Sequence, residues 1–482
     1  MIPCNYSAQI APGMRILSDD QKVLIHQATL ELLHRTGVRV LVAEVRELLA
    51  KAGCWLDGER VRIPSHLIDW AIRVAPNRVA LCDRGGNPAM FLEGYKSYYG
   101  TGSDTPYVID AHSGERRQAV LDDVANVARL VDALPNMSFL MCMGIASDVT
   151  ATISDLYHFK AMVSNTTKPI VYTAWNRQNL EAIVDMAEIV AGGAEALQRN
   201  PFFALYSEPI SPLTHGKESC EKLLYICQKG LPVVYTPGLI TGASSPVTRA
   251  GAVVQANAEL MSGLLVCQLI REGTPVITGG SGMMTMDMST MLACYGAPEF
   301  MLDWCAMSEM SHYYDLPIFG FAGASDAKTF DQQAAIEGSL WVMLAALSGG
   351  NLVHDVGYIE SGLTTSYEML ASMNESIGFV RRFMEGVEVT DETLALNVID
   401  NVGPGGHFLM EEHTLRHCRE NWYPKLFERG NRESWESSGR LTLGDRAKAQ
   451  VIEILKDHKP VPLDEGVLAR LETIIQHAEE GA

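Results

Sequence analysis

Short apolar runs recur along the middle of this chain, and each precedes a polar loop and a longer segment with helical apolar spacing. They start 30 to 43 residues apart: "FLMCMGI" (139–145), "PIVYTA" (169–174), "FFALYS" (202–207), "PVVYTP" (232–237), "PVITGG" (275–280), "PIFGFA" (317–322) and "NLVHDV" (351–356). Near-continuous apolar character is typical of buried parallel strands. With "KSYYGTGSDTPYVID" (96–110) they make eight strand–helix units, which predict an α/β fold, a (β/α)8 TIM barrel. A doubly wound open sheet is the alternative, but no GxGxxG follows the first strand.

The barrel region is flanked by segments of different character. Residues 1–85 predict a helical N-terminal region, in which one helix starts at the N-cap Ser18 and stops at Gly37. The eight units place the barrel at residues 86–386. Residues 387–482 predict a helical C-terminal extension that packs on the barrel or on another subunit, which favours a homo-oligomer.

Composition excludes several classes of partner. The net charge is 38 − 58 = −20, so the surface repels phosphate backbones and nucleic acid is not expected to bind. No signal peptide and no run of eighteen apolar residues occurs, so we expect a cytoplasmic protein without a membrane span. The ten cysteines form no CxxC pair and lie in apolar context, which indicates free thiols in a reducing compartment.

The predicted strand ends are rich in aromatic and acidic side chains. The active site of a TIM barrel lies at the carboxyl ends of its strands. The candidate side chains there are Tyr99, Asp104, Tyr206, Glu208, Tyr235, His354, Tyr358 and Glu360. Aromatic faces and carboxylates suit a quaternary ammonium ligand, and a polar group such as His354 or Lys328 would hold a carboxylate. For each tyrosine the alternative is packing in the barrel core, and for His354 it is a structural hydrogen-bonded histidine.

Other motifs do not lead to a metal or a resident cofactor. His413 and His417 stand four apart on an expected helix, but no HExxH accompanies them, so we predict no metal site. The loop "GGSGMM" lacks a Walker lysine. "DAHSGE" (110–115) has the spacing DxHxG in place of the DxHxxG of cobalamin-binding proteins.

Four long motifs together resemble one family. They are "YYGTGSDTPYVIDAHSGERR", "GASDAKTFDQQAAIEG", "NLVHDVGYIESGLTTSYEML" and "NVGPGGHFLMEEHTLRHCRENWYPKL". The chain resembles the trimethylamine–corrinoid methyltransferase superfamily through most of residues 15–460, and the resemblance implies a (β/α)8 barrel. The archaeal trimethylamine enzymes carry pyrrolysine, whereas this sequence has only standard residues. It is therefore most similar to the non-pyrrolysine branch and to its glycine betaine–corrinoid methyltransferases.

The resemblance implies methyl transfer without proton transfer. The Co(I) of a corrinoid (cobalamin), carried on a separate protein, would attack an N-methyl carbon of glycine betaine in an SN2 step that leaves dimethylglycine. On this interpretation His354 and Tyr99 hold the substrate carboxylate, and Tyr206, Tyr235 and Tyr358 face the trimethylammonium group. Asp104, Glu208 and Glu360 tune the electrostatic field. The alternatives are another betaine (proline betaine or a carnitine-type substrate) and a non-catalytic betaine-binding protein.

Overall fold

The structure is a computed structural model that describes residues 12–280 and 282–481. Cys4 and most of the segment searched for a signal peptide lie outside the described residues. The nine described cysteines are free thiols and seven of them are buried, as the sequence predicted.

The N-terminal region contains strands as well as helices. Its elements are α1 (Asp19–Arg35), β1 (Val38–Val40), α2 (Ala43–Lys51), β2 (Trp55–Asp57), β3 (Arg60–Arg62), α3 (Ser65–Val74), β4 (Val79–Cys82) and β5 (Pro88–Leu92). Helix α1 begins where predicted, because the Ser18 side chain accepts from the Gln21 amide in a capping box. Strands β4 and β5 pair as an antiparallel hairpin, so the predicted boundary at residue 85 falls in its turn.

Helices follow strands throughout residues 98–384. The elements are β6 (Tyr98–Thr101), β7 (Tyr107–Ile109), β8 (Arg116–Gln118), α4 (Leu121–Ala133), β9 (Met137–Phe139), a 3-10 helix (Ala151–Ile153), α5 (Ser154–Asn165), β10 (Ile170–Tyr172), α6 (Arg177–Ala191), α7 (Ala194–Arg199), β11 (Phe203–Ser207), β12 (Thr214–His215), α8 (Lys217–Lys229), β13 (Val233–Tyr235), β14 (Gly238–Thr241), α9 (Arg249–Ile270), β15 (Val276–Ile277), β16 (Gly282–Asp287), β17 (Leu292–Cys294), α10 (Pro298–Tyr313), β18 (Phe319–Phe321), α11 (Gln332–Leu347), β19 (Leu352–Val356), β20 (Tyr358–Ile359), β21 (Thr364–Thr365) and α12 (Tyr367–Met384).

Two four-stranded parallel sheets organise this region. Their strand orders are β10-β11-β13-β15 and β18-β19-β6-β9. Seven of the eight predicted stretches contain one of these strands, whereas the run at 139–145 begins at Phe139, the last residue of β9. Two isolated parallel bridges link the sheets, Leu140 to Ile170 and Thr278 to Ile318. The fold is therefore mixed α/β with parallel sheets.

Alternate residues of the parallel strands enter two separate apolar cores. The smaller core includes Phe139, Val171, Ala204, Val234, Ile277, Phe319 and Leu352, together with Val79, Leu81, Met90 and Leu92 of the β4–β5 hairpin. The hairpin covers the amino ends of the strands, where the Cys82 amide donates to the Pro201 carbonyl at 2.8 Å. Intervening residues such as Val233 and Val353 pack in the larger core with the helices. This alternation follows from the period of two along a strand.

Helix α9 is long and apolar enough to span a membrane. However, 83% of its most apolar stretch is buried inside the fold. Among the described residues it is the single helix of this kind, and its burial is that of a core helix.

The C-terminal region consists of helices and loops. They are α13 (Asp391–Leu394), α14 (Leu396–Val402), α15 (Glu412–His417), a 3-10 helix (Cys418–Glu420), α16 (Arg432–Ser437), α17 (Leu443–Asp457) and α18 (Glu465–Gly481). Helix α17 packs against α4 and α12, and α18 packs against α5 and α6. By contrast, α13, α14 and α15 contain no buried residue.

Candidate active site

Five of the eight predicted site residues come together beyond the carboxyl ends of the parallel strands. They are Asp104, Tyr206, Glu208, His354 and Tyr358. Their electrostatic coupling shows how close they lie: after burial itself, Glu208, Asp355 and Asp104 all raise the pKa of Tyr206. Burial also raises the pKa of Tyr358, and Asp355 and Asp104 raise it further.

A bulge at the end of β19 explains why His354 and Asp355 lie side by side. The register between β19 and β6 shifts between Val353 and Val356, and Asp355 adopts a left-handed backbone conformation with φ 74°. A bulge of this kind re-aims side chains that would otherwise alternate between the two faces of a sheet. Here it places an oxygen of the Asp355 carboxyl 3.2 Å from Nε2 of His354.

The hydrogen bonds of His354 define its state. Nδ1 lies 2.6 Å from the Gly320 carbonyl oxygen, which only accepts, so Nδ1 carries the proton. Burial lowers the pKa of His354 to about 4, and the imidazole is neutral at pH 7. Burial, and then Asp104, raise the pKa of Asp355 well above its usual range, and an oxygen of this carboxyl group lies 3.2 Å from the unprotonated Nε2. His354 consequently keeps no N–H for a substrate carboxylate.

Aromatic rings form one wall of the cluster. The His354 ring lies 4.2 Å from the Phe319 centroid and 6.5 Å from that of Tyr206. The Tyr206 hydroxyl donates to Glu208 Oε2 at 3.3 Å, and the Tyr358 hydroxyl donates to the Ser103 carbonyl. A third tyrosine, Tyr295, was not predicted; after burial itself, the charges of Asp355, Asp326 and Glu208 raise its pKa.

Solvent reaches two carboxylates of the cluster. The side chains of Asp104 and Glu208 are exposed to solvent, yet burial is the main cause that raises the pKa of both, to about 6 for Asp104. A side chain on an open surface is exposed but not desolvated. A side chain that solvent reaches only between surrounding protein atoms is both exposed and desolvated. The cleft is therefore accessible, anionic above pH 6 and lined by tyrosines.

Lys222 is the cation next to these acids, and the sequence analysis missed it. It lies on α8 and is 7% exposed. Its Nζ donates to the Ala174 carbonyl at 2.8 Å and to Thr173 Oγ1 at 3.1 Å. Its charge lowers the pKa of both Asp104 and Glu208. Its spacing could have indicated burial, because Lys222 stands four residues before Ile226 and both lie on the buried face of the helix.

Three predicted residues lie elsewhere. Tyr99 and Tyr235 pack in the larger core with the helices, where the Tyr99 hydroxyl donates to the Val342 carbonyl at 3.0 Å and Tyr235 contacts Nδ1 of His215 at 2.6 Å. Glu360 accepts from Arg116 at 2.8 Å and from Thr364 at 2.6 Å beside the β7–β8 hairpin. The sequence analysis took every aromatic or acidic residue at a predicted strand end as a candidate and ignored the alternation of side chains along a strand. This alternation separates Tyr99 and Tyr235 from the cleft.

Three open cavities of 400 to 630 Å³ lie away from this cluster. Each is lined by two arginines: Arg199 and Arg271, Arg382 and Arg429, and Arg39 and Arg60. Glu195 also lines the first cavity and Glu59 the third, where it pairs with Arg39 at 2.7 Å.

Gly102 is required for the position of Tyr358. A Cβ at this glycine would lie 2.1 Å from the Tyr358 ring. We expect Gly102→Ala to lower the free energy of unfolding by about 1–3 kcal/mol because the ring must move. Urea denaturation measures this change. Gly444→Ala is the matched control, because its Cβ would meet Phe330 at an ordinary 3.7 Å; equal stability of the two variants would contradict the close packing.

Comparisons with known proteins identify the family. Residues 4–482 match the family described as trimethylamine methyltransferase (MTTB). This chain belongs to the trimethylamine methyltransferase (MttB) family. It is 32% identical over 470 residues to "Trimethylamine methyltransferase MttB" of Desulfitobacterium hafniense (strain DSM 10664 / DCB-2), covering 97% of this chain and 95% of the relative. It is 28% identical to "Glycine betaine methyltransferase" of D. hafniense (strain Y51), covering 97% and 98%.

The fold is also similar to a solved structure. The monomethylamine methyltransferase MtmB of Methanosarcina barkeri superposes with a TM-score of 0.54 at 12% identity, over 93% of this chain and 89% of MtmB. The family resemblance read from the sequence motifs is thus confirmed. The chain is a methyltransferase of the MttB family that acts on methylated amines.

Proposed function

We propose that this MttB-family enzyme transfers a methyl group from a betaine, with glycine betaine as the reference substrate, to the Co(I) of a corrinoid on a partner protein. The cleft carries this proposal: tyrosines and two solvent-reaching carboxylates stand beside a buried lysine. A betaine has matching chemistry, because its trimethylammonium group prefers aromatic faces and anions and its carboxylate prefers a cation.

The trimethylammonium group would lie against Tyr206, Tyr295 and Tyr358, beside Asp104 and Glu208. The substrate carboxylate would bind Lys222. This replaces the expected anchors, because the N–H of His354 is taken by Gly320 and the hydroxyl of Tyr99 by Val342.

The chain's own residues position the substrate and need no general base. When the carbon–nitrogen bond breaks, its electron pair stays on nitrogen and a neutral tertiary amine leaves. The partner's Co(I), a second substrate, supplies the electron pair of the new carbon–cobalt bond. Full ionisation of Asp104, Glu208 and Asp355 would stabilise the ammonium ground state and slow the transfer. Their raised pKa values reduce that charge.

The rim of the cleft supports docking of a large partner. Exposed apolar side chains occur in the loops beyond five of the parallel strands. They are Trp175, Ile210, Val247, Met288 and Leu363, between 48% and 64% exposed. The chain's described residues thus provide an apolar surface around the site at which a corrinoid protein would present its cobalt.

We also infer that the eight parallel strands close into a ring. The two bridges described above join both ends of one sheet to the other, through β9 with β10 and β15 with β18. The smaller core includes residues from at least seven of these strands, which supports a barrel interior.

Absorbance spectroscopy of Co(I) cobalamin tests the proposal. Addition of the enzyme and glycine betaine is expected to bleach the Co(I) band as methyl-Co(III) forms. Trimethylamine, choline and an enzyme-free mixture are run in parallel. Bleaching by the enzyme with trimethylamine but not with glycine betaine would overturn the betaine assignment. Calorimetric binding of betaine with persistent Co(I) absorbance for every donor would favour a non-catalytic binding protein.

A further inference from the structure

A second cluster of ligating groups lies in the C-terminal region. Glu392 of α13 and His413 and His417 of α15 place a carboxylate oxygen and two imidazole nitrogens within 4.8 Å of one another. The two histidines are four residues apart, so they lie on one face of the helix. Their ring centroids are 4.3 Å apart.

One of the three distances between ligand atoms fits a tetrahedral ion. Nε2 of His417 lies 3.3 Å from Oε1 of Glu392. Zinc binds histidine nitrogen and carboxylate oxygen at about 2.0–2.2 Å, so two of its ligands stand roughly 3.3–3.5 Å apart. The His417 and Glu392 atoms already have this separation.

The other nitrogen of His417 has the partner that a metal-binding histidine requires. Nδ1 lies 2.8 Å from Oε1 of Glu420. A carboxylate in this position accepts the N–H, fixes the tautomer and leaves the Nε2 lone pair directed at the cluster. Glu420 thus orients His417 toward Glu392 and His413.

We propose that Glu392, His413 and His417 bind a divalent transition-metal ion, Zn²⁺ by preference, with water as the fourth ligand. The absence of HExxH led the sequence analysis to predict no metal. The third ligand comes from a different helix, 21 residues before His413 along the chain, and Nε2 of His413 lies 3.3 Å from the main-chain carbonyl oxygen of Glu392, a contact that a metal bound at this nitrogen would replace. Arg416 also contacts Oε1 of Glu392, at 2.9 Å, so on metal binding the arginine would have to move to the second oxygen of this carboxylate.

The ion would join helices that have no core of their own. Helices α13, α14 and α15 contain no buried residue, and Leu396, Leu409 and Met410 are at least 69% exposed. A segment without apolar burial needs another cross-link for a fixed conformation, and a structural metal supplies one. The proposed site therefore connects α13 to α15.

Zinc titration of the full-length chain against a chromophoric chelator tests this site. We expect one tight Zn²⁺ per chain, at least 10-fold weaker binding in Glu392→Gln and His413→Ala, and 10–100-fold weaker binding in Glu420→Gln, which removes only the orienting carboxylate. His407→Ala is the control, because it removes a histidine of the same segment outside the cluster. Equal affinity of all these variants, or no tight site in the wild type, would overturn the proposal.

A spectroscopic measurement separates metal binding from loss of folding. Co²⁺ bound at the site should show the visible bands of a tetrahedral ion, and Glu392→Gln should lose them while its far-UV circular dichroism remains unchanged. Hydrogen exchange of residues 391–417 should slow when Zn²⁺ is added. Bands that persist in Glu392→Gln would place the metal elsewhere.

Discussion

Lys222→Met is expected to lower kcat/KM for glycine betaine by about 10- to 100-fold. Loss of a charge-assisted hydrogen bond costs roughly 1.5–3 kcal/mol, and each 1.4 kcal/mol is a factor of ten. Tetramethylammonium has no carboxylate, so at a pH high enough to keep Asp104 and Glu208 ionised in both proteins its turnover should stay within about twofold of the wild-type rate. Single-donor kinetics with a Co(I) corrinoid acceptor measure both values.

The control for this variant lies on the same helix. The Lys229 amine pairs with Glu188 at 2.8 Å away from the cleft, so Lys229→Met removes an equal charge without touching the site. Lys229→Met should leave kcat/KM for glycine betaine and the turnover of tetramethylammonium unchanged. If Lys222→Met slows betaine and tetramethylammonium equally, Lys222 is structural and the carboxylate must bind elsewhere.

The sequence predicted the parallel strands because their signal is local. Each apolar run is bounded by a polar loop, and burial on both faces of a parallel strand leaves a pattern that is visible within six residues. The short strands in the loops that follow the apolar runs were not predicted. Strands β14, β16 and β17 form a small sheet from two separate loops, and pairing between distant loops has no signature in either one.

Side-chain direction limited the prediction of the site. Tyr98 packs against the smaller core, whereas its neighbour Tyr99 packs in the larger core with the helices. If one residue of β6 is known to point inward, alternation along the strand assigns Tyr98 and Tyr99 to opposite faces. The sequence does not show which residue of β6 points inward. Alternation along the strand would also have misplaced Asp355, because a bulge with a positive φ reverses the alternation at that residue.

Lys222 shows why a buried charge is difficult to predict. A lysine in an amphipathic helix is normally solvated, and desolvation opposes burial of its ammonium group. Here Asp104, Asp155 and Glu208, which come from separate strand-end loops or the helices after them, offset part of that cost, and burial still lowers the pKa of Lys222. No sequence window contains all four residues, so only the folded chain shows the pairing.

The affinity of the cleft for tetramethylammonium is expected to rise about fivefold between pH 5 and pH 7. The pKa of Asp104 is raised to about 6, so its carboxylate is protonated at the lower pH and ionised at the higher one. One carboxylate–cation contact at a solvent-reached site contributes up to ~1 kcal/mol. The raised pKa of Glu208 acts in the same direction. His354, with a pKa of about 4, stays neutral throughout this interval. Isothermal titration calorimetry across this range measures the change.

Asp104→Asn should flatten much of this pH profile and lower the affinity at pH 7 to about the wild-type value at pH 5. Glu360→Gln provides the control, because Glu360 is also an acid beyond a strand end but is held by Arg116 outside the cleft; its profile should match the wild type. Because tetramethylammonium does not titrate, any pH dependence must come from the protein. A flat wild-type profile, or one that Glu360→Gln alone abolishes, would mean that the cation binds away from the Asp104 side of the cleft.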